Sequence, residues 1–378
     1  DINQSPGEEF TNPNPITLFD GTSGLPYPSV ITVPQAAHRG AVAEVYVTLN
    51  GLRHGNPDDL DIILQHNGVT VGLLSDVGGA NNLAAADILL SDRAGVSLPD
   101  DGVIAPGTYR PTNIKNDDIL PAPAPAPGNN GFATTLGAFA GLDPSGDWNL
   151  FVADDTSNQI IGAIEGGWSL SIVTAPIINN VAAQNTAEDT PRVVPVGGIN
   201  QTQNQGDLRF SATSNNQSVL PNSGIVVDNN ADTLTLTPAA NANGAATVTV
   251  TITDVTNDRN HTDSTTFVLT VNPVNDAPVI DGLPRTDDPG QAPVPIAEGS
   301  TLQIPFEVRD VETAGGDLAV TAASSDVALI PIVKAGDNPD IITDPNNAAN
   351  GRLLTLRPVS ERFGPARITV TVTDGNGG

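Results

Sequence analysis

The chain has 378 residues and a formal net charge of −28, from 43 acidic and 15 basic residues, with neither cysteine nor methionine. At roughly 100–200 residues per domain, that length gives two to four domains. So acidic a surface repels phosphate backbones and anionic lipid, which excludes nucleic acid as a partner, and the missing cysteines exclude disulfides, thiolate metal sites and cysteine nucleophiles. No apolar run reaches the ~20 residues of a membrane helix, so direct membrane insertion is not expected.

In chain order, a polar tail (1–9) leads into short alternating runs. These are AEVYVTL (43–49), DIILQ (61–65), WNLFVA (148–153), WSLSIV (168–173), TLTLTP (233–238), TVTVTIT (247–253), TTFVLTV (265–271), LLTLRP (353–358) and RITVTVT (367–373). Alternation with β-branched residues, punctuated by Gly, Pro, Asn and Asp, reads as half-buried antiparallel strands. NNLAAADILL (81–90) fits either a helix or a loop followed by a strand. The chain starts at Asp1, as a processed chain or a piece of a longer one does.

The second half repeats itself. GDLRFSATSNNQSVLP (206–221) aligns with GDLAVTAASSDVALIP (316–331), and TLTLTPAANANGAATVTVTITD (233–254) with LLTLRPVSERFGPARITVTVTD (353–374). Each copy is a β unit of roughly 100 residues, the size of an immunoglobulin-like sandwich. Residues 176–273 and 274–378 are therefore two sandwiches, with boundaries at VTAPIINNV (173–181) and VNPVNDAPV (271–279), strand ends followed by proline. The first copy goes on to a strand, STTFVLTVNP (264–273), whose equivalent is missing from the second. Either the natural chain continues or a neighbouring subunit donates the strand, with the N-terminal tail one candidate donor.

The first half opens on a cluster of like charges. HGNPDDLDIILQHNG (54–68) carries Asp58, Asp59 and Asp61 at the start of a strand, and Asp154 and Asp155 follow the strand at 148–153. If those strand ends meet, the carboxylates converge on a hard-cation site of the Ca²⁺ type. A carboxylate pair for glycoside hydrolysis would need a pocket of substrate-binding aromatics, which make up only 4% of the chain. His54 adjoins the cluster but reads as a histidine in a polar loop. Trp148, Leu150 and Val152 share one strand face, as do Trp168, Leu170 and Ile172, so both tryptophans are expected in the core.

Residues 10–174 resemble the P domain found beside the catalytic domain of proprotein convertases and secreted subtilases. The resemblance rests on PYPSVITV (26–33), VYVTLNGLRHGNPDDLDIIL (45–64), LLSDVGG (73–79), GTYRPTN (107–113), LGAFAGLDPSGDWNLFVADD (136–155) and IEGGWSLSI (164–172). It implies a jelly-roll sandwich of about eight strands, with PAPAPAPG (121–128) as a stiff surface loop. The two repeats resemble cadherin-like, immunoglobulin-fold tandem repeats of bacterial surface proteins, on TAEDTP (186–191), IAEGS (296–300), VRDVET (308–313), VNDAPV (274–279) and the segments TITDVTND (251–258) and TVTDGNGG (371–378). That resemblance implies Ca²⁺ at the inter-repeat junction. The ligands would be Glu188, Asp254, Asn275, Asp276 and Asp310, with Glu298, Glu312 and Asp374 as equivalents in the last copy. The first copy lacks the Asp-x-Glu pair, having VGGINQTQNQGD (196–207) instead.

The fold expected is all-β: an N-terminal jelly-roll sandwich followed by two immunoglobulin/cadherin-like sandwiches in a row. No HExxH, Gly-x-Ser-x-Gly, P-loop or GxGxxG context is present. The expected role is therefore non-enzymatic: a secreted, Ca²⁺-binding structural or adhesive rod at a bacterial surface, in a matrix or in a filament. Its partners would be other surface or matrix proteins, or copies of itself. The alternatives are a non-catalytic accessory region of a secreted subtilisin-like protease and a carbohydrate-binding module.

Overall fold

The computed structural model describes residues 7–35, 40–115, 119–128, 131–199, 208–255, 260–285, 292–332, 340–344 and 347–376. His38, Lys334 and much of the 196–207 segment lie outside these. The described residues are strands, short 3₁₀ turns and loops, so the chain is all-β. Two compact units divide it: Asp1–Gln184 with Pro191–Thr237 and Ala246–Leu269, and Asn185–Thr190 with Pro238–Ala245 and Thr270–Gly378.

The first unit opens with a sandwich of a seven-stranded and a five-stranded sheet. The larger sheet runs Glu8–Asn12, Trp168–Thr174, Val42–His54, Gly162–Ile164, Ile16–Leu18, with Leu83–Leu90 on the other flank of Val42–His54 and Gly107–Tyr109 beyond it. The smaller runs Ser29–Val33, Gly146–Asp154, Leu60–His66, Val69–Ser75, Thr112–Asn113. This exceeds the roughly eight strands expected of a jelly roll, because two- and three-residue strands such as Thr112–Asn113 and Gly107–Tyr109 extend the edges. The segment left open at 81–90 is a strand, Leu83–Leu90, and Glu8 and Glu9 of the supposed tail belong to the first strand.

Period-2 alternation fills the space between the sheets. Leu60, Ile62, Leu64, Trp148, Leu150 and Val152 meet Leu49, Trp168, Leu170 and Ile172 in one core. Burying each such side chain contributes about 1.5–3 kcal/mol. Both tryptophans are fully buried with their polar ends satisfied: Trp148 Nε1 donates to the Pro144 carbonyl and Trp168 Nε1 to Ser29 Oγ, each at 3.0 Å. The Trp148 ring stacks on His66 at 4.0 Å.

The outer face of the smaller sheet is covered as well. Ile63, Phe151 and Ala153 pack under Leu120 and Phe132 from the proline-rich loop region. The Tyr27 hydroxyl donates to the Pro121 carbonyl at 2.9 Å. Burial, followed by the nearby Asp61 charge, pushes the Tyr27 phenol up to about 12.

The first unit also holds most of the first repeat. Its sheets run Gln184–Ala187, His261–Asn272, Gly244–Asp254, Leu208–Ser214 and Arg192–Pro195, Thr233–Leu236, Ile225–Asp228. His261 reaches Glu44 of the larger jelly-roll sheet, Nε2 to Oε1 at 3.0 Å, and Glu44 also accepts from Arg93 Nε at 3.0 Å and the Tyr46 hydroxyl at 2.5 Å. Burial raises the Glu44 pKa, but the bonds from His261, Arg93 and Tyr46 outweigh it and hold the carboxyl well below the usual range. In the second unit, the last repeat pairs Val279–Asp281, Leu302–Arg309, Gly351–Leu356 and Ile341–Thr343 in one sheet and Ala319–Ser324 with Ile368–Thr373 in another.

Candidate metal centre

Strand pairing brings the first group of predicted ligands together. Gly146–Asp154 pairs antiparallel with Leu60–His66, placing Asp154 opposite Leu60 and Ala153 opposite Asp61. The 3₁₀ turn Pro57–Asp59 delivers Asp59 into the same corner. The side chains then diverge. His54, Asp59 and Asp154 are buried, and their ligand atoms all lie within 4.8 Å of one another, the one such group among the described residues. Asp58 is not in that group; burial raises its carboxyl, Lys115 opposes this, and Asp76, Asp59 and Asp100 add to it. Asp61 is buried in the face covered by the proline-rich loop. Asp155 is exposed, and its Oδ1 accepts from Thr156 Oγ1 at 2.9 Å.

His54 is therefore part of the cluster and not a loop histidine: it ends strand Val42–His54, facing inward two residues after buried Leu52. That alternation is the sequence signal for it. Its Nδ1 lies 2.6 Å from the Asn56 carbonyl and its Nε2 3.1 Å from Asp154 Oδ2. The Asn56 backbone N–H also approaches Nδ1, at 3.3 Å.

Every carboxylate oxygen of this trio is occupied. Asp59 accepts from Asn56 Nδ2 and Asn158 Nδ2, each at 2.7 Å. Asp154 Oδ1 accepts the backbone N–H of Gly21 at 3.1 Å and of Thr156 at 3.0 Å. Burial still pushes the Asp154 carboxyl upward against those bonds and the His54 charge. The trio ties two loops to a strand end, and a cation would have to displace those donors.

The second group behaves differently. In the second unit, Glu188, Asn275, Asp276, Asp310, Glu312 and Asp374 form a bonded series around the linker Val274–Asp276. Glu188 Oε1 accepts the Val274 N–H at 2.5 Å, and the Glu188 N–H donates to the Asn272 carbonyl at 2.9 Å. Asn275 Nδ2 donates to Asp374 Oδ2 at 2.6 Å, and the Asp276 N–H to Glu312 Oε2 at 3.1 Å. Asp310 Oδ1 accepts from the N–H groups of Glu312 at 3.0 Å and Thr313 at 2.6 Å. The second oxygens of Glu188, Asp276 and Asp310 are buried with no hydrogen-bond donor among the described residues. Three buried carboxylate oxygens without a partner, one of them on a residue almost wholly buried, are costly unless a cation faces them. These oxygens are of the hard type that Ca²⁺ takes, 6–8 at a time in flexible geometry, and among the described residues no three of these carboxylates have ligand atoms within 4.8 Å of one another, as the His54 trio does.

Two predicted ligands fall elsewhere. Glu298 Oε2 accepts the Glu361 N–H at 3.0 Å and borders an apolar groove, so it does not join the linker series. Asp254 is fully buried at the end of Gly244–Asp254, opposite Leu208, in the first unit.

Residues 173–272 match the family described as the cadherin-like domain. A search of curated proteins finds no match. Among solved structures, the chain is similar to human protocadherin-24 EC1-2 (12% identity over 53% of this chain and 88% of that one, TM-score 0.29). It is also similar to Drosophila N-cadherin EC1-4 (12% identity, 53% and 48%, TM-score 0.27) and to titin domains Z1Z2 in complex with telethonin (10% identity, 53% and 94%, TM-score 0.24).

Proposed function

We propose that the chain is a non-catalytic, Ca²⁺-binding structural and adhesive protein of the cell exterior. It consists of β-sandwiches in series, with the cation held at the linker that follows the first repeat. The observation that carries this reading is the trio of donor-less buried oxygens on Glu188, Asp276 and Asp310. The cadherin-like match over residues 173–272 supports it. Glu188, Asp276 and Asp310 supply carboxylate oxygens, and Glu312, Asn275 and Asp374 hold the surrounding backbone and side chains in place. Bound there, Ca²⁺ neutralises the charge of these carboxylates and stiffens the linker into a rod. The net charge of −28 suits a chain that works among divalent cations. The first module serves as a P-like jelly roll, a rigid non-enzymatic head. Partners are other surface or matrix proteins, or further copies of the chain.

Thermal unfolding with and without Ca²⁺ tests the reading. At a hundredfold excess over Kd, binding contributes about 2.7 kcal/mol and raises the unfolding temperature of the second unit by about 10 °C or more. An unchanged transition in 10 mM Ca²⁺ would contradict it.

A further inference from the structure

The second repeat buries a positive charge that the first lacks. Arg352 lies on strand Gly351–Leu356, opposite Phe306, and is only 6% exposed. Among the described residues its guanidinium bonds carbonyls and no carboxylate: Nη1 donates to the Gly351 carbonyl at 3.0 Å and Nη2 to the Gly315 carbonyl. A guanidinium shielded from water is costly, and neutral carbonyls offset less of that cost than a carboxylate does. What the rigid fork does supply is position, since it fixes two carbonyls against each other.

The Gly315 carbonyl lies at the end of the loop that carries two of the linker carboxylates. At its start, Asp310 Oδ1 gathers the N–H groups of Glu312 and Thr313, and Glu312 Oε2 takes the N–H of Asp276. The 3₁₀ turn Gly315–Asp317 follows, with the Asp317 N–H on the Ala314 carbonyl at 2.8 Å. Gly315 is pressed against a neighbouring loop: a Cβ there would fall 2.2 Å from Asn350 Oδ1 and 2.7 Å from the Ala349 carbonyl oxygen. The Asn350 carbonyl in turn accepts the Val308 N–H at 3.0 Å. Residues 310–315 are therefore held at both ends, by the Asp310 carboxylate at the start and by Arg352 at the finish.

Both features belong to the second copy. In the alignment that matches 233–254 with 353–374, the place of Arg352 is taken in the first copy by Asp232, which is exposed. The first copy also lacks the Asp-x-Glu pair. The clamp and the carboxylates it backs thus occur together in one repeat and are missing together from the other. We infer that Arg352 is a positioning residue for the linker cation site: its guanidinium sets the 310–315 loop so that the donor-less oxygen of Asp310 is presented to Ca²⁺. This inference rests on the calcium reading above.

The test is a calorimetric Ca²⁺ titration of the 378-residue chain beside Arg352→Met and Arg352→Lys. Arg352→Met removes the fork, and its Kd for Ca²⁺ should rise about tenfold or more, as metal sites lose affinity when a group that orients a ligand is removed. Arg352→Lys keeps the charge and a donor and should restore part of the affinity. Hydrogen exchange in EDTA reads the same geometry without the ion. The Glu312 and Thr313 amides, which donate to Asp310, should exchange about tenfold faster in Arg352→Met, as the loss of one charge-assisted hydrogen bond gives. Should Arg352→Met fail to fold, seen as lost protection of strand Leu302–Arg309, Arg352→Lys carries both readouts with smaller shifts. A residue that only supports the fold would lower stability in EDTA and leave Kd where it was. Native heat with an unchanged Kd in Arg352→Met, or unchanged exchange at Glu312 and Thr313, would overturn the inference and leave the calcium reading standing. Absence of heat in the native chain would overturn the calcium reading, and with it the role given to Arg352.

Discussion

His54, Asp59 and Asp154 lie closer together than any other group of possible metal ligands among the described residues, yet all four of their carboxylate oxygens accept hydrogen bonds. Glu188 of the first repeat, Asp276 of the linker and Asp310 of the second repeat form no such close group, and each keeps one buried oxygen without a donor among the described residues. Crowding of carboxylates and demand for a cation are therefore separate properties. The jelly roll neutralises its cluster with an imidazole, two asparagine amides and two backbone N–H groups, so the trio acts as a knot. Around the linker, backbone N–H groups donate to one oxygen of Glu188 and one of Asp310, and the other oxygen of each has no donor among the described residues. Counting acids in a sequence does not distinguish the two arrangements; counting donors does.

The sharpest way to break this comparison is to remove Asp154. Asp154→Ala strands the Gly21 and Thr156 N–H groups and His54, and should cost about 3 kcal/mol. The loss should be equal in Ca²⁺ and in EDTA. Both tryptophans of the chain, Trp148 and Trp168, sit in the jelly roll, so their fluorescence in a denaturant titration reports that module alone. A Ca²⁺-dependent loss would move the cation site to the first module.

At the linker, the sign should depend on the ion. Asp310→Asn should remove most of the roughly 2.7 kcal/mol that saturating Ca²⁺ provides. In EDTA the same substitution relieves an unpaired buried charge and should be neutral or stabilising by up to about 1 kcal/mol. Unfolding of the second unit followed by hydrogen exchange in both conditions reads the reversal, and a loss of equal size in each would refute it.

Acid sharpens the contrast from the other side. Glu44 is held below its ordinary value of 4.5, so its contribution is present above that pH and fades as pH falls through its lower folded value. Asp154 is shifted upward, so its ionisation works against the fold as pH rises from its ordinary value of 3.8. Glu44→Gln should therefore flatten the acid side of the stability profile, and an unchanged profile would remove Glu44 from the account. The smallest effect is expected at the exposed pair Arg53–Glu165, where Glu165→Gln should change stability by less than about 1 kcal/mol.

Much of this architecture is legible in the sequence, for physical reasons. The period-2 runs, the internal repeat and the inward faces of Trp148 and Trp168 follow from strand geometry and from the need to bury aromatic area. That the strand ends at Asp61 and Asp154 meet is only a condition in the sequence, because alternation does not say which strands pair; the sheet register supplies it. What was not legible is which side chains turn inward at the corner. His54 joins the cluster and Asp155 leaves it, because that choice depends on donors from distant loops, Asn158 and Gly21. Asp61 is buried by a loop some sixty residues later in the chain, around Leu120, a non-local event that alternation cannot report. Glu298 occupies the repeat position of Glu188 but borders a groove and accepts the Glu361 N–H, a contact that the repeat alignment does not report.

The most direct test is a calorimetric Ca²⁺ titration of the full chain beside the variant Glu188→Gln/Asp276→Asn/Asp310→Asn. Saturable heat in the native chain, with Kd of about 10⁻³ M or tighter as for extracellular modules, and its disappearance in the variant are the predicted results. Identical isotherms, or heat that vanishes with Asp59→Asn and survives the triple substitution, would contradict the claim that the linker carboxylates hold the ion.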